Sequence, residues 1–470
     1  MKPKKKTYKL HSEHKKILAD TLTPVSVYLK IRDQFPHSLL LESSDYDAHT
    51  NNFSYICCNP IASICIQNGM IDYRFPDGTN EILELSLTDS VPELIEDFSR
   101  QFESGSYPFK FITNGLFGYI AHDAVKHFES IELNEEKDSL DIPEIYYAVY
   151  QNIIAISIFN HEAHLFSHSF DKGHNLKKIE QLLRGDNIAT YGFEKKGEKK
   201  SNLTDDEFID YVNKGKEHCF RGDVFQLVLS RRFSQEFSGD EFNVYRTLRS
   251  VNPSPYLFFF DYGDFKIFGS SPEAQLIVED GVAEIHPIAG TFRRSGNDEE
   301  DTQSAKRLAE DPKENSEHVM LVDLARNDLS RNGTDVKVEK NREIQFFSHV
   351  IHLVSKVTGR LKSKAKTFQV VADTFPAGTL SGAPKHKALQ LIDRYEKTSR
   401  NFYGGALGYI DFKGNFNHCI IIRSFLSKNQ KLHYQAGAGI VAKSVPENEL
   451  QEVYNKLGAL DKALSLAEKL

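Results

Sequence analysis

The chain has 470 residues, 40 % of them apolar and 26 % charged, and a formal net charge of −8. That is an ordinary globular composition, enough for two to four domains or one large core with an intimate second layer. The negative balance excludes bulk attraction to nucleic acid or membrane, so an anionic ligand needs a local cluster of positive groups or a metal. The five cysteines are odd in number and contain no CxxC pair, so they read as reduced thiols in the cytosol and not as a zinc site. The N-terminal MKPKKKTYKL is basic but lacks the apolar stretch of a secretory signal. No apolar run nears the roughly 18 residues of a membrane span.

In chain order, residues 20–170 read as strand-rich. HSLLLES, SYICCNP, SICIQNG and AVYQNIIAISIFN are short apolar runs ended by turn formers. VPELIEDFSRQF is a helical patch between them. The polar stretch RGDNIATYGFEKKGEKKSN reads as a linker or long loop. A helix then starts at Thr204, whose capping box is closed by Glu207, with Phe208, Val212 and Gly215 on one face. It ends near Arg221-Gly222-Asp223, and VFQLVLS follows as a buried strand. This gives an N-terminal domain over 1–183, a linker over 184–203 and a C-terminal domain over 204–470. Strands and helices do not alternate regularly, which favours an α+β fold of large sheets packed together and flanked by helices.

Glu314 and Glu317 open an amphipathic helix, ENSEHVMLVDLARND, where a spacing of three sets both carboxylates on one face. A second pair, Glu449 and Glu452, starts the last helix after Pro446, flanking the stripe Leu450, Val453, Leu457, Leu460 and Leu464. Either pair alone suits a solvated, dipole-matched helix start. Together they offer the carboxylate oxygens that magnesium takes.

Four glycine segments let backbone N–H groups approach an anion: HPIAGTFRR with Gly290 and Thr291, GTLSGAPK with Thr379, FYGGALGYI with Tyr403, and YQAGAGIV with Gly437, Ala438 and Gly439. GTLSGAPK does not satisfy the phosphate-loop pattern, since Ala383-Pro384 follows Gly382. His352 lies in an apolar run and reads equally as a core histidine. Arg423 ends the apolar strand CIIIRSF and needs an anionic partner if buried, either a structural carboxylate or a substrate.

These segments, in this order, resemble the chorismate-utilising enzymes. The carriers are SPEAQL, HPIAGT, EHVMLVDLARND, HLVSKVTG, GTLSGAPK, FYGGALGY, IIIRSF, AGAGIV and ELQEVYNK, spread from about Thr204 to Leu460. Gln226 stands where isochorismate and salicylate synthases carry a lysine that activates water. Ala289 stands where many aminodeoxychorismate synthases carry a lysine that attacks the ring. Both positions are similar instead to the large-subunit family of anthranilate synthase. LLESSD, with Glu42 and Ser43, and NPSPYLFFF, with Pro255 and Tyr256, resemble that family's tryptophan feedback pocket, although the basic residue that often follows LLES is missing.

The resemblance implies a cytoplasmic lyase that turns chorismate and ammonia into anthranilate and pyruvate, the first committed step of tryptophan biosynthesis. Its cofactor would be Mg2+, held by Glu317 and Glu452 with Glu314 and Glu449 in support. Gly290, Thr291, Tyr403, Arg423, Gly437, Ala438 and Gly439 would bind the substrate. Glu273 would protonate the departing C4 hydroxyl, His352 would move the proton of the second step, and Thr379 would be a polar contact. The N-terminal domain would be regulatory, with tryptophan as inhibitor at Glu42, Ser43, Pro255 and Tyr256. No cysteine sits in a glutaminase nucleophile loop, so ammonia would come from a separate glutamine amidotransferase subunit. Two other chorismate enzymes, aminodeoxychorismate synthase component I and isochorismate synthase, stay as alternatives, as does a non-catalytic tryptophan- or chorismate-binding regulator.

Overall fold

The computed structural model describes residues 6–43, 53–86, 88–171, 173–185, 188–346 and 350–470, without the side chains of residues 291, 293 and 313. Two antiparallel sheets dominate it, and the long strands Ser54–Gln67 and Ile145–Ser157 run through both. Along one sheet the order passes from Leu39–Ser43 to Tyr256–Asp261, Phe265–Ser271, Ser424–Lys428, Lys431–Ile440 and Gln226–Gly239. Along the other it passes from Ile145–Ser157 to Gly115–Ile120, Ala406–Asp411, Phe416–Ile420, Ala274–Glu279, Val282–Ile285 and Val350–Leu361.

Alternate residues of these strands point to opposite faces. One set, including Leu39, Leu41, Tyr55, Cys57, Phe117, Tyr119, Phe258, Phe260 and Leu426, fills the space between the sheets. The other set meets helices. Asp205–Arg221, Phe242–Val251 and Pro446–Ala467 cover the first sheet. Val91–Ser99, Thr367–Thr374 and the inner face of Pro312–Asn332 cover the second. This is the expected α+β arrangement.

The Thr204–Glu207 capping box forms, and its helix stops at Gly222 with φ of +79°. Val453, Leu457, Leu460 and Leu464 are buried along the last helix as the stripe requires. The expected linker differs. Its Phe193–Ser201 portion is a strand paired with Gln226–Gly239. N- and C-terminal segments also share sheets, since Leu39–Ser43 pairs with Tyr256–Asp261 and Gly115–Ile120 with Ala406–Asp411. Arg423 does not end a continuous strand. The chain breaks between Phe416–Ile420 and Ser424–Lys428, and Arg423 takes the left-handed conformation, φ +51°.

Candidate active site

The strand Lys431–Ile440 is the floor of the candidate site. Its glycines are bare because other groups need the room. A Cβ on Gly437 would lie 3.2 Å from the Tyr403 hydroxyl and 2.8 Å from the Leu229 carbonyl, and one on Gly439 would lie 2.5 Å from Gln226 Nε2.

Each carboxylate pair is tethered to this floor. Gln226, 3 % exposed, donates its amide to Glu317 Oε1 at 3.0 Å. Lys456, one helical turn beyond Glu452, lies 2.6 Å from that carboxylate and donates to the Gly437 carbonyl at 2.8 Å. Glu449 is buried. Glu314 lies against Gly290, where a Cβ would come within 3.1 Å of Glu314 Oε2. The two helix starts, more than a hundred residues apart in sequence, thus reach floor positions two residues apart on one strand. Among the described residues, however, no three His, Cys, Asp or Glu side chains gather as a ready-made metal cluster. The donor set still fits a hard cation: all four are carboxylates. Beside Glu317, Gln226 Oε1 is a buried acceptor without a hydrogen-bond partner among the described residues.

Opposite the floor, Thr379 donates its hydroxyl to Glu273 Oε1 at 2.9 Å. Burial pushes the Glu273 carboxyl up to about 7, against the Thr379 hydrogen bond and the charges of Lys456 and Arg423. A carboxyl with that value is a usable acid near neutrality. Burial pulls the Arg423 guanidinium down, opposed by Tyr403, Glu452 and Glu273, which places these groups around one space. The Tyr403 phenol is pushed up to about 12, chiefly by burial, so it stays a neutral donor.

His352 Nδ1 meets the Gly290 carbonyl at 2.8 Å. A carbonyl only accepts, so Nδ1 carries the hydrogen and Nε2 is the acceptor nitrogen. Burial, with Arg423 nearby, lowers its pKa and keeps the ring neutral. Gly290 itself has φ +70°, a conformation that favours glycine. Ala289 is buried on the same strand, Ile288–Arg293. The Thr291 side chain lies outside the described residues.

The four residues expected around tryptophan lie where Leu39–Ser43 ends and Tyr256–Asp261 begins. Ser43 is paired in register with Tyr256, and Glu42 with Leu257. Glu42 is 3 % exposed and accepts from the Tyr245 hydroxyl at 2.6 Å and from Arg249 Nε at 2.9 Å. Pro255 directly precedes Tyr256. The last two residues of LLESSD lie outside the described residues.

Two supports were not read from the sequence. Lys456 carries a helical i,i+4 signal with Glu452 that was available. Arg400 is the other. It is 2 % exposed, grips both oxygens of Glu396 at 2.6 and 2.9 Å, and donates to the carbonyls of Leu380 at 2.6 Å and Val228 at 2.8 Å. Glu396 in turn accepts from the Ser230 backbone and hydroxyl at 2.8 and 2.7 Å. This buried pair locks the Thr379–Leu380 turn onto the strand that carries Gln226.

Residues 43–462 match the model of the family described as chorismate binding enzyme. An anthranilate synthase component 1 of Aquifex aeolicus is 36 % identical, covering 96 % of this chain and 94 % of its own. That of Bacillus subtilis is 36 % identical over 96 % of this chain and 91 % of its own. The crystal structure of anthranilate synthase component I from Streptococcus pneumoniae superposes with a TM-score of 0.74 at 30 % identity, covering 94 % of this chain and 98 % of that one. The isochorismate synthase MenF of Escherichia coli, at 18 % identity and a TM-score of 0.75, shares the fold.

Proposed function

The chain belongs to the chorismate binding enzymes, and from that membership we infer how its residues carry chorismate to anthranilate. It is an anthranilate-forming enzyme of the component 1 type. Among the described residues no helix is long and apolar enough to cross a membrane.

Gln226 carries the reading of amination. An amide whose nitrogen donates to Glu317 cannot abstract a proton from water, so nothing at this position generates hydroxide. Ala289 offers no amine for covalent attack on the ring. Ammonia is then the nucleophile. Arg423 and Tyr403 hold the enolpyruvyl carboxylate, a planar match for guanidinium plus a phenol donor. Backbone groups at Gly290, Gly437, Ala438 and Gly439 line the ring.

Glu273 gives its proton to the departing C4 hydroxyl while ammonia adds at C2, the ring carbon next to the carboxylate, and the ring double bonds shift between the two positions. Thr379 aims that carboxyl. In the second step pyruvate leaves and the ring aromatises, and His352, neutral and with Nε2 as its basic nitrogen, takes the ring proton. Glu317 and Glu452, supported by Glu314 and Glu449, are the residues that would hold Mg2+. Bound there, the ion supplies charge neutralisation for the ring carboxylate and polarises the ring toward attack.

The component 1 naming of the relatives implies a partner component. In our reading it is a glutamine amidotransferase subunit that supplies ammonia. Tryptophan is the inhibitor, seated where Ser43 and Tyr256 pair, with Glu42 anchored behind them by Tyr245 and Arg249. The deciding experiment gives the purified chain chorismate, magnesium and ammonium, with and without tryptophan, and follows anthranilate fluorescence. Product that appears only with a nitrogen source and falls when tryptophan is added supports the scheme. No product sinks it.

A further inference from the structure

A cavity of about 990 Å3 lies apart from every residue assigned above to substrate, metal or inhibitor. Eight carboxylates line it against three permanent cations, Lys126, Lys137 and Arg400. The cations are already matched: Lys126 lies 2.8 Å from Glu144, Lys137 2.7 Å from Asp393, and Arg400 2.6 Å from Glu396. Asp141 also faces Lys428 at 3.7 Å and Glu135 lies 3.7 Å from Lys126, yet the carboxylates outnumber the cations and leave a negative concave wall, which focuses a field that concentrates cations.

His122 is among the lining residues and is 3 % exposed. Asp123 Oδ1 stands 3.5 Å from its Nδ1, which favours the tautomer with the hydrogen on that side. Both ring nitrogens are buried with no hydrogen-bond partner among the described residues, and with the hydrogen drawn to the Asp123 side the acceptor nitrogen is Nε2. Burial lowers the ring's pKa, opposed by Asp123, so the imidazole is neutral and Nε2 presents a lone pair. A buried acceptor of this kind calls for an N–H or O–H donor. Behind the ring the wall is thin. A Cβ on Gly404 would lie 3.4 Å from His122 Cδ2 and 3.6 Å from Leu380 Cβ. Gly404 follows Tyr403 and Leu380 follows Thr379, so one layer of residues separates His122 from the proposed substrate groups.

We propose that this cavity is the entry vestibule for the nitrogen substrate. Ammonium gathers against the carboxylate wall and donates a hydrogen bond to His122 Nε2, at the layer behind Tyr403 and Thr379. It crosses as neutral ammonia, leaving its proton to the vestibule's water, past Gly404, which contributes no side chain. The proposal rests on ammonia being the nucleophile.

Steady-state assays with ammonium chloride at saturating chorismate and magnesium test it. His122→Phe removes the acceptor and should raise the apparent KM for ammonium about tenfold, the loss of one hydrogen bond, with the KM for chorismate unchanged. His122→Gln keeps an acceptor oxygen and should recover most of the loss. Glu132 and Glu135 are exposed on the lip. The double variant Glu132→Lys, Glu135→Lys should raise the ammonium KM roughly two- to fivefold at low salt and not at high salt, because exposed charges are screened. That surface variant decides the matter if His122→Phe does not fold. Unchanged ammonium KM in folded variants overturns the vestibule, while anthranilate made by the unaltered protein leaves the amination reading intact. No anthranilate from the unaltered protein overturns the reading beneath it.

Discussion

Replacing Thr379 by valine tests the role of Glu273 through the direction of a pH shift. The threonine hydroxyl donates to Glu273 Oε1 at 2.9 Å and favours the ionised carboxylate. Burial has the opposite and larger effect, leaving the group at about 7. A hydrogen bond to a charged group is worth roughly 1.5–3 kcal/mol in the protein, and one pKa unit corresponds to about 1.4 kcal/mol. With part of the bond replaced by water in the variant, the carboxyl should rise by about one unit, to roughly 8. The acid acts only when protonated. In the unaltered enzyme kcat should therefore fall about tenfold per pH unit above 7. In Thr379→Val the same limb should begin about one unit higher, so the variant overtakes the parent relative to its own acid plateau. Glu273→Gln cannot donate a proton. Its kcat should drop by about 10²–10⁴ and lose the limb altogether. The measurement is initial anthranilate fluorescence at saturating chorismate and magnesium, with free ammonia held constant across pH so that its own titration does not enter. An alkaline limb that stays in place in Thr379→Val, or Glu273→Gln with parental kcat, would refute the assignment.

Gly290→Ala places a Cβ 2.6 Å from Leu308 Cδ1 at a φ of +70°. With strain of about 1–3 kcal/mol transmitted to the His352 contact, kcat/KM should fall at least about tenfold while circular dichroism stays native. Arg400→Met leaves Glu396 buried without its guanidinium and should cost about 3–5 kcal/mol in urea unfolding; Arg400→Met with Glu396→Leu should regain most of it. His168 is buried, and burial pulls it down to about 4. Its unfolded value is near 6.5, so the unfolded chain binds the extra proton between those values. Stability should thus be lost as pH falls from about 6.5 to 4, by up to roughly 3 kcal/mol from this group. His168→Gln should flatten the pH dependence of the urea midpoint by about one proton in that window, and an unchanged slope would count against it.

The helices were legible because their signals are local. Thr204 with Glu207, and the stripe after Pro446, act within a few turns of one element. The charged stretch FEKKGEKKS was misread because only Phe193 of it is buried. It is a strand whose lysines face water, and such a strand has no apolar alternation to detect. The runs SYICCNP and SICIQNG read as two strands because Asn59-Pro60 resembles a turn. The structure keeps one strand and absorbs the pair as a bulge, with Asn59 at φ +61° and the register shifting between Pro60 and Ala62. The break at Arg423 is invisible for a different reason. Three isoleucines before an arginine look like one strand, and only the packing of two sheets decides that the chain must turn there. For the candidate site, motif spacing picked out side chains that the structure sets around Gly437 and Gly439, but not the groups that tether them. Arg400 and Glu396 sit in EKTSR, a segment as polar as any surface loop, and nothing local distinguishes a buried ion pair from a solvated one.

Gln226 joins the two halves of the chemistry. It stands one side chain from Glu317 and directly over Gly439, so in our reading whatever occupies this position acts both on the nucleophile and on the carboxylates proposed to hold the metal. A lysine here would bring a cation to about 3 Å from Glu317, worth some 1 kcal/mol in water and several in a less polar surrounding. That charge would compete with a divalent ion for the same carboxylate and would also supply a base for water. Glutamine does neither. Its nitrogen orients Glu317 without charge, and its oxygen remains an acceptor that cannot deprotonate water at neutral pH. Favouring ammonia over water and keeping Glu317 available to a cation are therefore, in our reading, two consequences of one side chain, which lies where a Cβ on Gly439 would come within 2.5 Å of its Nε2.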